Sequence, residues 1–262
     1  ADTLRNLFPD LCPIVDDLFL LEPHQIADLV DRAPRDDLAI VLRANPTLVR
    51  FFVTRQPSIG PFVSALLESS PEHERDVADA ADHLLWEIAD LIVYQRAPAM
   101  YDDSLEILWD RAALVEAEPL ATKTVIDGGA GTGLVTFAVA PIAEVVYAVE
   151  PVAALREHIR DKARRKGLAN VFVLDGILSL IPLRADSAEV LLTHRAIGWD
   201  LAAELVEIER VVCSGGAAIH LAGLPYPARE DVPLHRDLLA RGYEERPYRD
   251  GESLNRKYYK RI

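Results

Sequence analysis

Long apolar runs and paired cysteines are both missing from this sequence. No uninterrupted apolar stretch reaches about 18 residues, so the sequence predicts no membrane-spanning helix. The two cysteines, Cys12 and Cys213, lie far apart in unlike contexts, which favours free thiols in a reducing cytoplasm over a disulfide. We also find no His, Cys and Asp spacing typical of a metal site and expect no metal. The start, ADTLRNLFPD, lacks the basic region of a secretory signal, so we expect a cytoplasmic protein.

Positive charge is scarce in the first half of the chain. Residues 1–120 hold 23 acidic and 9 basic side chains, whereas residues 121–262 hold 19 of each, so the net charge of −14 lies entirely in the first half. The difference indicates two units with different surface roles, although acids that only keep a helical domain soluble are an alternative. The acidity makes a nucleic-acid partner unlikely on physical grounds, because such binding depends on basic side chains.

Prolines divide the first part of the sequence into predicted helices. The apolar spacing predicts helices over 23–33, 36–45, 46–56 and 58–70. One long helix should follow, with Ser70 as its cap, Pro71 in its first turn and Pro98 at its end, and a further helix is predicted over 102–118. We interpret residues 1–97 as an acidic helical domain and residues 98–262 as the domain that carries the chemistry.

Apolar strands alternate with helices after Lys123. Five strands are predicted over 124–129, 144–150, 170–175, 187–194 and 215–223. Continuous apolar strands of this kind indicate a parallel sheet that is covered on both faces. Two last strands, 242–249 and 254–262, are separated by the turn signal Asp250-Gly251 and are expected to be antiparallel. The predicted fold class is α/β, a doubly wound, mostly parallel seven-stranded sheet preceded by an all-helical domain.

The first of these strands runs into a glycine-rich loop, in VIDGGAGTGLVTFAVA (125–140). Strand, loop and helix in this order bring backbone N–H groups close to a ligand, and both dinucleotides and S-adenosylmethionine use such loops. The dinucleotide pattern G-x-G-x-x-G/A fails here, because its third position falls on Leu134 or Thr136. The pattern present is D-x-G-x-G-x-G, from Asp127 to Gly133. An acid at the strand end suits an ammonium group better than a pyrophosphate.

This loop and three later segments resemble the class I S-adenosylmethionine-dependent methyltransferases of type 11, over about residues 100–262. The second strand ends in Glu150, one β-α-β unit after the glycines, and the third ends in Leu174-Asp175-Gly176. The connection ILSLIPLRADSAEVLL leads into the fourth strand, and the sheet ends with a reversed strand. The resemblance implies a Rossmann-like methyltransferase fold with S-adenosyl-L-methionine as the cofactor.

The resemblance also implies roles for single residues. Glu150 would accept hydrogen bonds from both ribose hydroxyls, and Asp175 would accept one from the adenine amino group. Pro151 or Val152 would pack on the adenine face, and Tyr101 would touch the methionine end of the cofactor. The expected cofactor-binding residues are Tyr101, Asp127, Gly128, Gly129, Ala130, Gly131, Gly133, Leu134, Glu150, Pro151, Val152, Asp175, Gly176, Ile177 and Arg195.

Several of these residues also have a purely structural interpretation. Asp127 fits a helix cap that orders the loop amides, and Glu150 fits a solvated loop acid. Asp175 fits a turn former, and Val152 fits the start of the next helix. The sequence leaves these alternatives open.

In the family, the transferable methyl group lies at the carboxyl ends of the strands, which points to the loop THRAIGWD (193–200). His194 is the candidate catalytic base there, and a histidine that only packs at a strand end is the alternative. The loop contains neither a Pro-Pro-aromatic motif nor a Pro-Cys pair. This disfavours methylation of base or amide nitrogens and of cytosine carbon 5.

The leading interpretation is a cytoplasmic enzyme that methylates a small molecule. One alternative is a protein or RNA methyltransferase whose acidic domain recruits a basic partner, and another is a catalytically silent cofactor-binding interaction protein. The helical domain is expected to cover the substrate pocket, to form a homodimer or to hold a protein partner. We interpret the basic segment 156–166 as a solvated helix face rather than an RNA site.

Overall fold

The computed structural model describes residues 2–69, 75–105, 118–226, 232–250 and 253–262. The chain divides into two compact units, Ala1–Ser104 and Leu105–Ile262. The boundary that we predict after residue 97, and the role of the helical part, stay predictions. Both cysteines, Cys12 and Cys213, are free thiols. None of the helices within the described ranges combines the length with the apolar character that crossing a membrane would require.

Short helices build the first unit, and proline is the first residue of three of them. The helices are α1 (Asp2–Leu7), α2 (Pro23–Arg32), α3 (Arg35–Ala44), α4 (Pro46–Arg55), α5 (Gly60–Glu68), α6 (Val77–Glu87), α7 (Ala89–Arg96) and α8 (Pro98–Leu105), with 3-10 turns at Val15–Leu20 and Pro57–Ile59. Proline is tolerated at a helix start because its missing N–H would have no partner inside the helix. The four helices predicted between residues 23 and 70 are confirmed to within two residues at each end.

The single long helix predicted up to Pro98 is wrong, because the chain forms α6 and α7 with a break at Ile88. Ile88 leaves the helical conformation, with φ −117° and ψ 20°. Its side chain is fully buried, as are Leu84 before the break and Ile92 after it. The bend therefore keeps both segments against one apolar core. No proline or glycine marks this position, so the apolar spacing alone could not reveal the break.

The start of α6 also differs from the expectation. Its N-cap is Asp76, whose carboxylate accepts a hydrogen bond from the Ala78 N–H over 3.0 Å. The predicted cap Ser70 and the following Pro71 lie outside the described residues. Most of the helix predicted over 102–118 lies outside them as well.

The second unit contains a seven-stranded sheet in the order β3-β2-β1-β4-β5-β7-β6. Its strands are β1 (Thr124–Gly128), β2 (Val145–Val149), β3 (Val171–Leu174), β4 (Ala188–His194), β5 (Val212–Pro225), β6 (Glu244–Asp250) and β7 (Ser253–Arg261). The pairs formed among strands β1 to β5 are all parallel, whereas β7 is antiparallel to both of its neighbours. The predicted fold class and all seven predicted strands are confirmed, with ends that agree to within three residues.

Four described helices accompany the sheet, namely α9 (Leu134–Val139), α10 (Ala153–Lys166), α11 (Leu201–Val211) and α12 (Pro233–Ala240). Helix α10 ends at Gly167, as expected, and this glycine has the left-handed φ of 65° that ends many helices. The sequence analysis did not identify α12, because its eight residues give the apolar spacing little room.

Apolar layers cover both faces of the sheet. On one face, Val125 and Val190 pack with Val135 of α9. On the other face, Leu191 packs with Ile208 of α11. Because parallel strands all end at the same edge, the loops after β1 to β5 meet there. That edge carries every candidate site residue of the second unit.

Candidate functional site

Three alternate glycines shape the loop between β1 and α9. Gly129, Gly131 and Gly133 have left-handed backbones, with φ of 69°, 57° and 87°, a conformation that side chains disfavour. A Cβ on Gly129 would lie 2.4 Å from the Cβ of Ala196, so this glycine permits close contact with the loop after β4. Among the residues that the structure describes, no atom lies within 4 Å of a Cβ placed on Gly131, so space is open beside that residue.

The amides of this loop are used inside the protein. The N–H groups of Gly129 and Ala130 both donate to the carbonyl at the end of β2, over 2.9 and 3.0 Å, and the Gly133 N–H donates to the Ala130 carbonyl over 2.8 Å. The Gly131 N–H donates to the Glu150 carboxylate over 2.8 Å. In this structure, these four amides are therefore occupied by acceptors of the protein itself. A pyrophosphate, which needs such donors, would find all four occupied.

Asp127, the acid near the end of β1, is buried and turned towards α9. Its Oδ2 accepts hydrogen bonds from the N–H and the Oγ1 of Thr136, over 2.8 and 2.6 Å. Thr136 lies in the first turn of α9, so this carboxylate caps the helix from the neighbouring strand. Burial raises the pKa of Asp127 to about 6, against the opposing effect of the bonds from Thr136. These bonds fit the helix-cap alternative that the sequence left open, and contact of Asp127 with the cofactor stays a prediction.

Glu150 follows β2 and joins the glycine loop to the start of α10. Its Oε2 accepts from the Gly131 N–H over 2.8 Å, and its Oε1 accepts from the Val152 N–H over 2.9 Å. Each oxygen has a second lone pair, so the carboxylate can also accept from a vicinal diol. The residue is only 4% exposed, which excludes a solvated loop acid. Burial raises the pKa of Glu150 to about 7, and the nearby carboxylate of Asp127 contributes in the same direction.

An arginine joins the ends of β2 and β3. Arg156 Nη1 donates to Asp175 Oδ1 over 3.0 Å and to the carbonyls of Glu150 and Pro151 over 3.0 and 2.6 Å. The Asp175 side chain is 72% exposed, so it can also reach a ligand. A Cβ on Gly176 would lie 2.7 Å from a proline ring, which makes the turn after β3 tight. The sequence analysis assigned Arg156 to a solvated helix face and missed this bracing role.

The other expected cofactor residues have different surroundings. Val152 is buried and is the N-cap of α10, which fits its structural alternative. Tyr101 lies in the first unit, where its ring centroid is 5.0 Å from that of Tyr94, and its contact with the cofactor stays a prediction. Gly128 and Ala130 are buried. Partly or fully exposed positions are Leu134, Pro151 and Ile177.

His194 ends β4, and Arg195 begins the loop that follows it. His194 is the last residue of β4, is half-buried and pairs with Leu221 of β5. Arg195 is exposed and has a left-handed backbone, with φ 56°, and its N–H donates to the Leu221 carbonyl over 2.8 Å. Ala196 then contacts Gly129. The structure thus places the candidate base beside the glycine loop, whereas the role of His194 stays a prediction.

A buried acid that the sequence analysis missed orders the rest of this loop. Glu204, in the first turn of α11, accepts hydrogen bonds from the N–H groups of Gly198, Trp199 and Asp200, over 2.7, 3.0 and 3.1 Å. Glu204 is only 3% exposed. An acid in the first turn of a predicted helix was the available signal, because such acids often satisfy amides at a helix start.

A buried polar chain runs through the ends of β4 and β5. Thr193 Oγ1 lies 2.9 Å from His220 Nδ1, and His220 Nε2 lies 3.1 Å from the Tyr243 hydroxyl. Burial lowers the pKa of His220 to about 3, so this imidazole is neutral. The sequence analysis found no constellation for His220. Strand register alone brings it opposite Thr193, 27 residues earlier in the chain.

The residues at the end of β1 and β2 fit S-adenosyl-L-methionine and not a dinucleotide. Space is open beside the left-handed Gly131, and the carboxylate of Glu150 lies at that residue, where it can accept from ribose hydroxyls. The four loop amides that a pyrophosphate would need are occupied. The fold and the site therefore resemble those of the class I S-adenosylmethionine-dependent methyltransferases.

Comparison with known proteins agrees with this class. The family described as "Methyltransferase domain" matches residues 126–220. An S-adenosylmethionine-dependent methyltransferase of Aquifex aeolicus shares the fold, with 19% identity, a TM-score of 0.52, and coverage of 62% of this chain and 96% of its own. The chain therefore contains a methyltransferase domain over residues 126–220, and its fold is that of S-adenosylmethionine-dependent methyltransferases, with S-adenosyl-L-methionine as the cofactor.

Two further solved structures have lower TM-scores. The precorrin-6y C5,15-methyltransferase of Geobacter metallireducens has 18% identity and a TM-score of 0.45, with 57% of this chain and 84% of its own covered. Phosphoethanolamine N-methyltransferase 1 of Haemonchus contortus has 15% identity and a TM-score of 0.46, with 63% and 47% covered. Among curated proteins, none matches the chain.

Proposed function

We propose that this enzyme transfers the methyl group of S-adenosyl-L-methionine to a small-molecule acceptor. When bound, the cofactor supplies a methyl group on a sulfonium sulfur, which is an electrophile that needs little activation. The tasks left to the protein are to align the nucleophile, to exclude water and to take up a proton where the acceptor must lose one. The loop after β4 is the candidate for all three tasks.

The observation that carries the small-molecule assignment is that three arginines of the basic helix α10 are paired with acids of the same chain. On α10, the ion pairs are Arg156 with Asp175, Arg160 with Glu157, and Arg164 with Asp161. Charges that neutralise each other contribute little to the capture of RNA.

Three groups of the loop after β4 have distinct proposed tasks. Ala196 excludes water by its contact with Gly129. Glu204 holds the loop amides and so keeps the loop in one conformation. His194, at the end of β4, is proposed to take up the proton of the acceptor, which suits an imidazole because it titrates near neutral pH.

The experiment is a transfer assay that does not require a known acceptor. The full chain is incubated with S-adenosylmethionine labelled with tritium on the methyl group and with a cell extract that has been separated into small molecules, RNA and protein. Labelled compounds other than S-adenosylmethionine should form in the small-molecule fraction and in no other fraction. The Glu150→Ala variant is the control, because label that depends on the cofactor site should disappear with it.

The other outcomes separate the alternatives. Label in RNA or protein would replace the small-molecule assignment with a macromolecular one. Binding of S-adenosylhomocysteine without transfer of label to any fraction would indicate a silent cofactor-binding protein.

A further inference from the structure

Arg195 has a backbone conformation that is unusual for a residue with a side chain. Its φ of 56° lies in the left-handed region, and the hydrogen bond from its N–H to the Leu221 carbonyl holds it there. Such conformations are retained when the surroundings enforce them, and they concentrate at binding sites. The conformation therefore raises the question of where this side chain is directed.

Gly223 on β5 provides the space for the Arg195 side chain. A Cβ on Gly223 would lie 2.9 Å from Nε, 3.2 Å from Cγ and 3.3 Å from Cδ of Arg195. Gly223 is itself left-handed, with φ 67°, and lies where the pairing of β5 with β7 is irregular. A left-handed residue just after β4 and a left-handed residue in β5 thus place one arginine side chain against β5 near its end.

The direction of this side chain is away from the glycine loop. Strand β4 lies between β1 and β5 in the sheet. Ala196 contacts Gly129 on the β1 side, whereas Arg195 lies against Gly223 on the β5 side. The sequence analysis grouped Arg195 with the cofactor-binding residues, but its side chain is directed to the opposite half of the strand edge.

A lysine also lies on this half. Lys257 of β7 pairs with Leu221 of β5, on the side opposite His194, and is only 6% exposed. Of the acids that the structure describes in the loop after β4 and the start of α11, Glu204 is held by three amides and Asp200 caps α11. Arginine binds planar oxyanions through parallel N–H groups.

We propose that Arg195, supported by Gly223, binds an oxyanion of the methyl acceptor, such as a carboxylate or a phosphate. The proposal rests on the proposed function, because it names the charge of the acceptor for the same site. It assigns Arg195 to the acceptor and leaves cofactor binding to the loop after β1 and to Glu150.

The test uses two simple anions as probes. The full chain, saturated with S-adenosylhomocysteine, is titrated calorimetrically with sodium acetate and with sodium phosphate at constant ionic strength. At least one anion should bind saturably, with a dissociation constant on the order of millimolar, and the stronger of the two indicates whether the group is a carboxylate or a phosphate. If neither anion binds saturably, the proposal is wrong.

Three variants show which residue is responsible. Arg195→Gly suits the left-handed backbone, so it should keep the melting temperature and the affinity for S-adenosylhomocysteine while anion binding falls about tenfold or more. Gly223→Ala should also weaken anion binding, because its Cβ displaces the side chain of Arg195. Arg165→Gln, at an exposed position of α10, is the matched control and should change nothing.

Even if an anion binds saturably to the unmodified chain, two results would overturn the proposal. Equal anion binding by Arg195→Gly would remove the residue from the site, and a loss of affinity for S-adenosylhomocysteine in that variant would return it to the cofactor. Failure of the proposed function is a separate result, since label would then not enter the small-molecule fraction whether or not anions bind.

Discussion

The two halves of the strand edge in this enzyme carry different side chains. On one half, Asp127 lies near the end of β1, Glu150 follows β2 and Asp175 follows β3. Asp127 accepts a hydrogen bond from a threonine, Glu150 from loop amides and Asp175 from an arginine. His194 and Arg195 follow or end β4, beside β5. The acidic half offers acceptors, and the basic half offers donors.

This difference matches the two molecules that a methyltransferase must hold. Ribose hydroxyls and an amino group donate hydrogen bonds, so the cofactor suits the half with carboxylates. The acceptor is left with the other half, where we propose that an oxyanion binds. The predictions below compare the two halves mainly by the dissociation constant of S-adenosylhomocysteine, from the largest expected change to the smallest, and one of them adds the stability of the ligand-free enzyme.

Replacing Glu150 by alanine should have the largest effect. Hydrogen bonds to a charged acceptor contribute roughly 1.5–3 kcal/mol, so the dissociation constant should rise by about tenfold to hundredfold. Because Glu150 also holds two backbone amides, the melting temperature should fall as well. Calorimetric titration and thermal melting measure both quantities.

Two variants control for this result. Glu150→Gln keeps one acceptor oxygen and should lose less affinity, and Glu157→Ala, an exposed acid on α10, should change neither quantity. An unchanged dissociation constant for Glu150→Ala would mean that the ribose is bound by other residues.

The pH dependence of binding should be the next largest effect. The pKa of Glu150 is about 7 without ligand, and ribose hydroxyls donate to its ionised form. Affinity should therefore rise with pH up to about 7 and fall by about tenfold for each pH unit below it. Titrations between about pH 5.5 and 8 measure the change. The Glu150→Gln variant should abolish most of it. A flat profile in the unmodified enzyme would contradict the assignment.

The stability of the ligand-free enzyme should follow the opposite trend. Burial raises the pKa of Glu150 from 4.5 to about 7, so the folded state binds a proton more tightly than the unfolded state. This contribution to the free energy of unfolding is present below pH 4.5 and is lost as the pH rises to about 7. Denaturant titrations across this range, with Glu150→Gln as the control, measure the slope due to this residue.

Replacing Asp175 by alanine should have a smaller effect. Its carboxylate is largely exposed and shares its charge with Arg156, so water screens its interaction with a ligand. We expect the dissociation constant to rise by about threefold, the result of losing one weak hydrogen bond. Asp161→Ala is the matched control, because Asp161 is an exposed and ion-paired acid on α10. Equal values for both variants would leave Asp175 as a turn former.

Replacing His194 by alanine should have the smallest effect on this constant. Its position at the end of β4 belongs to the basic half, so affinity for S-adenosylhomocysteine should stay within about twofold. Transfer of label to small molecules should fall by about a hundredfold, because general base catalysis contributes that much or more. Full transfer activity in the variant would assign His194 to packing alone.

The sequence predicted the sheet better than it predicted individual side chains. Apolar runs located all seven strands, and the glycines with Glu150 located the cofactor half of the edge. The same patterns could not reveal the break at Ile88, which lacks a proline or glycine signal. They also left Asp127 open between a helix cap and a ligand contact, because a pattern of residues does not contain the direction in which a carboxylate points.

By itself, the sequence determined which segments become strands, where the loop glycines fall and which acids end the strands, because these depend on local periodicity and backbone freedom. Tertiary structure alone decided that Asp127 caps α9, that Thr193 meets His220, and that Arg195 lies over Gly223. Each of these contacts joins residues from different elements. Its geometry depends on strand register and on packing between elements, which no local pattern specifies.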